Sequence, residues 1–147
     1  MRLKIAVLCM VGVASAIAQT ASTDDSSKAV VYVYRLKMGS GPPPNSPSVY
    51  CDEQELARLQ NDRFFSFRLD AGKHSLRSTD EKSVLRLDVK AGQTYYIRGE
   101  VVPVKLKPRG RLALMSPEQG ANEVRTLQPL PSDKVKDRNR VLLDPPK

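Results

Sequence analysis

From residue 28 onward, apolar residues recur at every second position in runs of four to nine, separated by short clusters of Gly, Pro, Asn, Asp and Ser. A period of two places alternate side chains on opposite faces of an extended chain, so the pattern predicts strands joined by turns. In AVVYVYRL (29–36), Val30, Tyr32, Tyr34 and Leu36 share one face while Val31 and Val33 share the other. Both faces are apolar, which predicts a central strand covered on both sides. MGSGPPPNSP follows as a loop, since its three prolines cannot donate to a β ladder. SVYCDEQELARL then predicts two short strands around a tight turn near Asp52-Glu53-Gln54. RFFSFRL aligns Phe65, Phe67 and Leu69, and KHSLRST leaves a turn at Ala71-Gly72. SVLRLDV aligns Leu85, Leu87 and Val89, and QTYYIRGEVV leaves a second turn at Ala91-Gly92.

GRLALMS (110–116) is a further strand. Ser116-Pro117-Glu118-Gln119 offers an N-cap, a proline at the first helical position and a capping-box glutamine. Ala121, Val124 and Leu127 follow at three-residue spacing, so a short helix closes the domain, with an edge strand over NEVRTL as the alternative. Short segments and short turns favour antiparallel hairpins, because parallel crossovers need a dozen or more residues. The expected fold is mainly β: an antiparallel β-sandwich of about seven to nine short strands with one short C-terminal helix.

The N-terminus departs from this pattern. MRLKIAVLCMVGVASAIA carries two cations, Arg2 and Lys4, then an apolar run from Ile5 to Val13 and small residues before Gln19. This is the layout of a secretory signal peptide. Ala16-Ile17-Ala18 places cleavage after Ala18, with Ala14-Ser15-Ala16 as the alternative site. The apolar run falls short of the roughly 20 residues that span a bilayer, so no transmembrane segment is expected after cleavage. The expected location is the periplasm or the extracellular space.

The resulting division is 1–18 signal peptide, 19–28 polar leader, 29–127 β-sandwich domain and 128–147 a proline- and charge-rich tail. Val141-Leu142-Leu143 is a docking patch within that tail.

Export changes the rest of the inventory. Cys9 leaves with the signal peptide, so Cys51 has no disulfide partner, and its setting in Val49-Tyr50-Cys51 predicts a small buried hydrophobe. The formal charge of +8 falls by two when Arg2 and Lys4 leave. The remaining excess attracts anions in general. Export and the lack of basic-aromatic interleaving argue against nucleic acid, which leaves an envelope protein or an anionic glycan or lipid as partner.

Within this surface, VKLKPRGRL places Lys105, Lys107, Arg109 and Arg111 at every second position. Those four residues form a candidate anion-binding strip, and also fit the solvated face of an edge hairpin.

Catalytic chemistry finds little footing. With His74 as the sole imidazole and Cys51 the one cysteine left after the expected cleavage, neither a multi-histidine site nor a thiolate cluster for zinc can be assembled. No metal or cofactor is expected. A Cys51–His74 pair or a serine–histidine–acid set lacks a local signature, and no glycine-rich phosphate loop is present. His74 is in phase with Leu76, which predicts an inward, hydrogen-bonded strand residue.

The residues together resemble a known family. V-Y-V-Y-R (Val31 to Arg35) is followed by V-Y-x-D-x-x-x-[LV]-A-x-L (Val49 to Leu59). An aromatic strand, G-K-H-x-[LV] (Gly72 to Leu76) and A-G-x-T-Y-Y-[IV]-R (Ala91 to Arg98) complete the set. The combination resembles the bacterial domain-of-unknown-function family 2846, exported or lipid-anchored β proteins, over nearly all of residues 28 to 127. The resemblance implies a fold and a compartment and carries no catalytic residue. Asp52-Glu53 stands where that family often has Asp-Gly, which suggests a different turn type or register.

The functional reading is an exported, non-catalytic β-sandwich that binds an envelope protein or anionic polymer. The alternatives are a structural assembly component acting through a sheet edge or the tail, and a cryptic hydrolase.

Overall fold

The computed structural model describes residues 27–39, 46–79, 84–102 and 109–143. The segment expected to be a signal peptide, most of the polar leader, the proline-rich loop centre, and Lys105 and Lys107 of the basic strip lie outside the described residues, as does the side chain of Arg109.

Among the described residues the chain forms ten strands, one α-helix and a short 3-10 helix (Ser132–Lys134): β1 (Ala29–Arg35), β2 (Ser48–Cys51), β3 (Gln54–Arg58), β4 (Arg63–Leu69), β5 (Gly72–Ser78), β6 (Leu85–Val89), β7 (Thr94–Val102), β8 (Arg109–Met115), α1 (Pro117–Val124), β9 (Gln128–Pro129) and β10 (Val141–Leu142). One sheet runs β10-β4-β1-β7-β8, with β9 also paired to β4. The other runs β3-β2-β5-β6. The architecture is the mainly β, sandwich-like fold that the alternation predicts.

The two apolar faces of β1 account for the layering. Val31 and Val33 enter a core shared by both sheets, with Phe67 and Ile97 from one and Val49, Leu76 and Leu87 from the other. Tyr32 and Tyr34 enter a second cluster with Phe64, Val124 and Leu127, beneath α1. Tyr32 stacks on Tyr96 with centroids 5.2 Å apart. Tyr95 packs against the first cluster, so β7 is covered on both faces and neither tyrosine is a bare platform.

Ser116 caps α1 by accepting from the Gln119 backbone amide at 3.3 Å. Gly120, a weak helix former, is required there. A Cβ at that position would fall 2.2 Å from the Tyr96 Cβ.

Three expectations need correction. First, the pairings β1–β7 and β4–β9 are parallel. β1 and β7 are separated by the whole second sheet, and that long excursion supplies the crossover that a parallel pair requires. Second, the described residues form ten strands, because β9 and β10 are two-residue strands that carry no alternation to read.

Third, the segment after residue 127 is part of the domain. Leu130, Val135 and Val141 are buried in the main core. The Leu130 amide donates to the Phe64 carbonyl at 2.7 Å, and the Lys136 and Asp137 amides both donate to the Leu56 carbonyl, at 2.8 and 3.0 Å. Val141 and Leu142, expected to dock, do so as β10 along β4. Proline-rich composition suggested a tail, but three apolar residues spaced along it find slots at the sheet edge.

Candidate functional site

The hairpin between β2 and β3 is closed by two residues, Asp52 and Glu53, both with positive φ (50° and 66°). This is the type I′ geometry that Asp-Gly prefers, so the turn type is unchanged by the missing glycine. The irregularity lies instead in the register, which shifts between Val49 and Tyr50. The left-handed conformation at Glu53 is offset locally. Its carboxylate accepts from Arg77 at 3.1 Å, and the Arg77 guanidinium covers the Tyr50 ring at 4.1 Å.

That turn projects Asp52 over the start of β5. The Asp52 amide donates to the Ser75 carbonyl at 2.9 Å, and Oδ1 accepts from the Ser75 amide at 3.0 Å. Oδ2 meets His74 Nδ1 at 2.6 Å, while His74 Nε2 meets the Asp70 carbonyl at 2.8 Å. With its side chain only 16 % exposed, His74 is the largely inward, hydrogen-bonded residue that its phase with Leu76 predicts. Burial is the largest influence on Asp52 and pushes its pKa up, but the hydrogen bonds from His74 and Ser75 outweigh it and hold the carboxyl below its usual range.

Cys51 lies directly opposite Leu76 across the β2–β5 pair, on the same face as His74 two residues before Leu76. It is buried and free of disulfide. Burial, with the charge of Asp52 added, pushes its thiol up to about 11, against the opposing charge of Arg140.

Arg140 arrives from the C-terminal segment. Its guanidinium donates to Cys51 Sγ at 3.6 Å and to Gln54 Oε1 at 3.4 Å. Asp137 builds the bend that delivers it, accepting from the amides of Asn139 and Arg140 and from Gln54 Nε2. The β2–β5 pairing thus brings Cys51 and Asp52, neighbours in the chain, beside His74, a juxtaposition with no local signature in the sequence. One sulfur, one carboxylate oxygen and one ring nitrogen of the three lie within 4.8 Å of one another.

Two clefts open on this group. One, of about 480 Å³, is lined by Lys28, Arg68, Asp70, Asn139 and Arg140 together with Asp52 and His74. The other, of about 540 Å³, is lined by Lys73, Arg86, Asp88, Asp52 and His74. Sequence reasoning missed Lys28, Arg68 and Arg140, which are scattered singly along the chain and gather only at this end of the sandwich.

The basic strip is placed in part. Arg109 begins β8, and Arg111, 56 % exposed, donates to Glu100 at 2.6 Å. Glu100 also accepts from Arg98, whose other arm reaches Glu123 of α1 at 2.9 Å. Arg111 therefore belongs to an ion-pair network that ties β8, β7 and α1 together.

The fold and site define a two-sheet β-sandwich with a cationic cleft and a Cys–Asp–His group at one end. The chain belongs to the family described as protein of unknown function (DUF2846), which matches residues 25–107. The match ends short of the 127 traced by resemblance, so β8, α1 and the segment carrying Arg140 lie beyond it. No curated protein and no solved structure matches the chain.

Proposed function

We propose that this protein is exported and acts by binding, holding phosphate or carboxylate groups of an envelope polymer in the cleft where Lys28, Arg68 and Arg140 converge. Export rests on the N-terminal layout of cations, apolar run and small residues. The observation that carries the binding reading is the cleft itself, an open volume of about 480 Å³ with three cationic side chains on its walls. Its two carboxylates are already engaged, Asp52 by His74 and Ser75, and Asp70 by Lys28 at 3.5 Å. Two arginines in one cleft suit bidentate recognition of phosphate and carboxylate. Both ring nitrogens of His74 are hydrogen-bonded within the chain, which supports binding over acid–base work.

Cosedimentation with polyphosphate and with polygalacturonate, against neutral dextran, tests the reading. The protein is expected to bind an anionic polymer and not dextran, with weaker binding as salt rises. Arg68→Gln combined with Arg140→Gln is expected to lower affinity at least tenfold. Unchanged binding by that double variant overturns the assignment. Glutamine at Lys105, Lys107, Arg109 and Arg111 measures what the strip adds.

A further inference from the structure

We infer that Cys51, Asp52 and His74 form a binding site for a divalent transition metal ion of the zinc type. Cys51 Sγ, an Asp52 carboxylate oxygen and a ring nitrogen of His74 lie within 4.8 Å of one another. The strongest support is what surrounds the three. Metal sites are recognised as much by the groups that orient their ligands as by the ligands themselves. Here every ligand has such a group. His74 Nε2 is held by the Asp70 carbonyl at 2.8 Å, leaving Nδ1 to face the others. Asp52 Oδ1 is held by the Ser75 amide at 3.0 Å, leaving Oδ2. Cys51 Sγ accepts from the Arg140 guanidinium at 3.6 Å.

The three atoms must adjust to reach the spacing the ion requires, since the widest pair, Cys51 Sγ and the His74 ring nitrogen, stands at up to 4.8 Å. Zinc bonds of about 2.0 to 2.3 Å in a tetrahedron set neighbouring ligand atoms roughly 3.3 to 3.6 Å apart. Sγ and Oδ2 stand at 3.8 Å. Nδ1 and Oδ2, now 2.6 Å apart across a hydrogen bond, must part by roughly 0.7 Å, a small rotation of either side chain.

One sulfur, one nitrogen and one oxygen suit a borderline-soft ion and do not suit calcium or magnesium, which take oxygen ligands. The incoming ion displaces the thiol proton, which leaves to solvent, and takes the lone pair of Nδ1 with the other ring proton on Nε2, facing the Asp70 carbonyl. Thiolate, carboxylate and dication sum to a neutral centre. Three protein ligands leave a fourth position. Asp52 and His74 line both clefts whereas Cys51 is buried, so that position faces open space. The site does not depend on polymer binding.

Cobalt(II) titration of the purified, reduced protein tests the site. One equivalent is expected to produce visible bands of a tetrahedral centre and a near-ultraviolet thiolate-to-cobalt charge-transfer band, both bleached by zinc. His74→Ala is expected to abolish stoichiometric uptake, and Cys51→Ser to remove the charge-transfer band. Arg140→Gln should weaken affinity about 10- to 100-fold, while Lys73→Gln should leave it unchanged. The wild-type spectrum decides alone if Cys51→Ser does not fold. Absence of the charge-transfer band at excess cobalt, or its survival in His74→Ala, overturns the inference. Polymer binding measured with and without chelator separates this site from the cationic cleft.

Discussion

Replacing Leu130 with alanine puts a number on the claim that the C-terminal segment is part of the domain. Leu130 is 7 % exposed and sits in the main core cluster, where its neighbours include Phe64, Phe65, Val135 and Val141. Removing a buried leucine side chain costs about 2 to 5 kcal/mol, depending on how far the site collapses around the gap. The neighbours on the C-terminal side belong to a segment anchored by two-residue strands, which can relax inward, so the lower half of that range applies, about 2 to 3 kcal/mol.

For a domain of this size such a loss lowers the melting temperature by roughly 10 °C. Urea unfolding followed by circular dichroism and tyrosine fluorescence reads it, since the chain has five tyrosines and no tryptophan. Leu143→Ala is the control, being 53 % exposed and expected within about 0.5 kcal/mol of wild type. A Leu130→Ala midpoint shift worth less than about 0.5 kcal/mol would place the segment outside the cooperative unit and refute the packing argument.

The same packing logic extends to the other elements. Gly120→Ala drives a methyl into the Tyr96 side chain and should cost about 1 to 3 kcal/mol, with reduced helix content by circular dichroism. Glu53→Gly relieves a left-handed conformation that costs a non-glycine residue about 1 to 2 kcal/mol. With its exposed ion pair and the added chain entropy deducted, it should raise the urea midpoint by less than about 1 kcal/mol.

Hydrogen bonds from Arg111 and Arg98 hold Glu100 below the usual carboxylate range. A depressed folded pKa contributes stability that is present above the unfolded value of about 4.3 and lost as pH falls through the folded one. Arg111→Gln should therefore flatten the loss of stability below about pH 4, with a change at neutral pH of no more than about 1 kcal/mol because Arg111 is more than half exposed.

The parts of the fold that were readable from sequence are those where one residue's neighbours two places away carry the same signal. β1 announces both of its faces, and Phe65, Phe67 and Leu69 of β4 point into the core as their alternation requires. Leu130, Val135 and Val141 carry no period, because each fills a separate slot against a sheet already formed. Their context is tertiary, and a proline-rich stretch conceals it.

The candidate site was half readable. His74 could be turned inward from its phase with Leu76. Its partner Asp52, 22 residues away, follows only from the β2–β5 pairing, and Arg140 lies 89 residues beyond Cys51. Arg111 shows the converse. Four cations in alternation suggested a free strip, while the strand opposite supplies Glu100 to one of them.

The central claim, that an anionic group is held between Lys28, Arg68 and Arg140, is tested most directly by amide chemical-shift mapping during titration with short-chain polyphosphate. The account predicts saturable shifts concentrated at residues 28, 52, 68–74 and 139–142, lost in the Arg68→Gln, Arg140→Gln variant. Shifts confined to residues 105–111, or none at saturating polyphosphate, would contradict it.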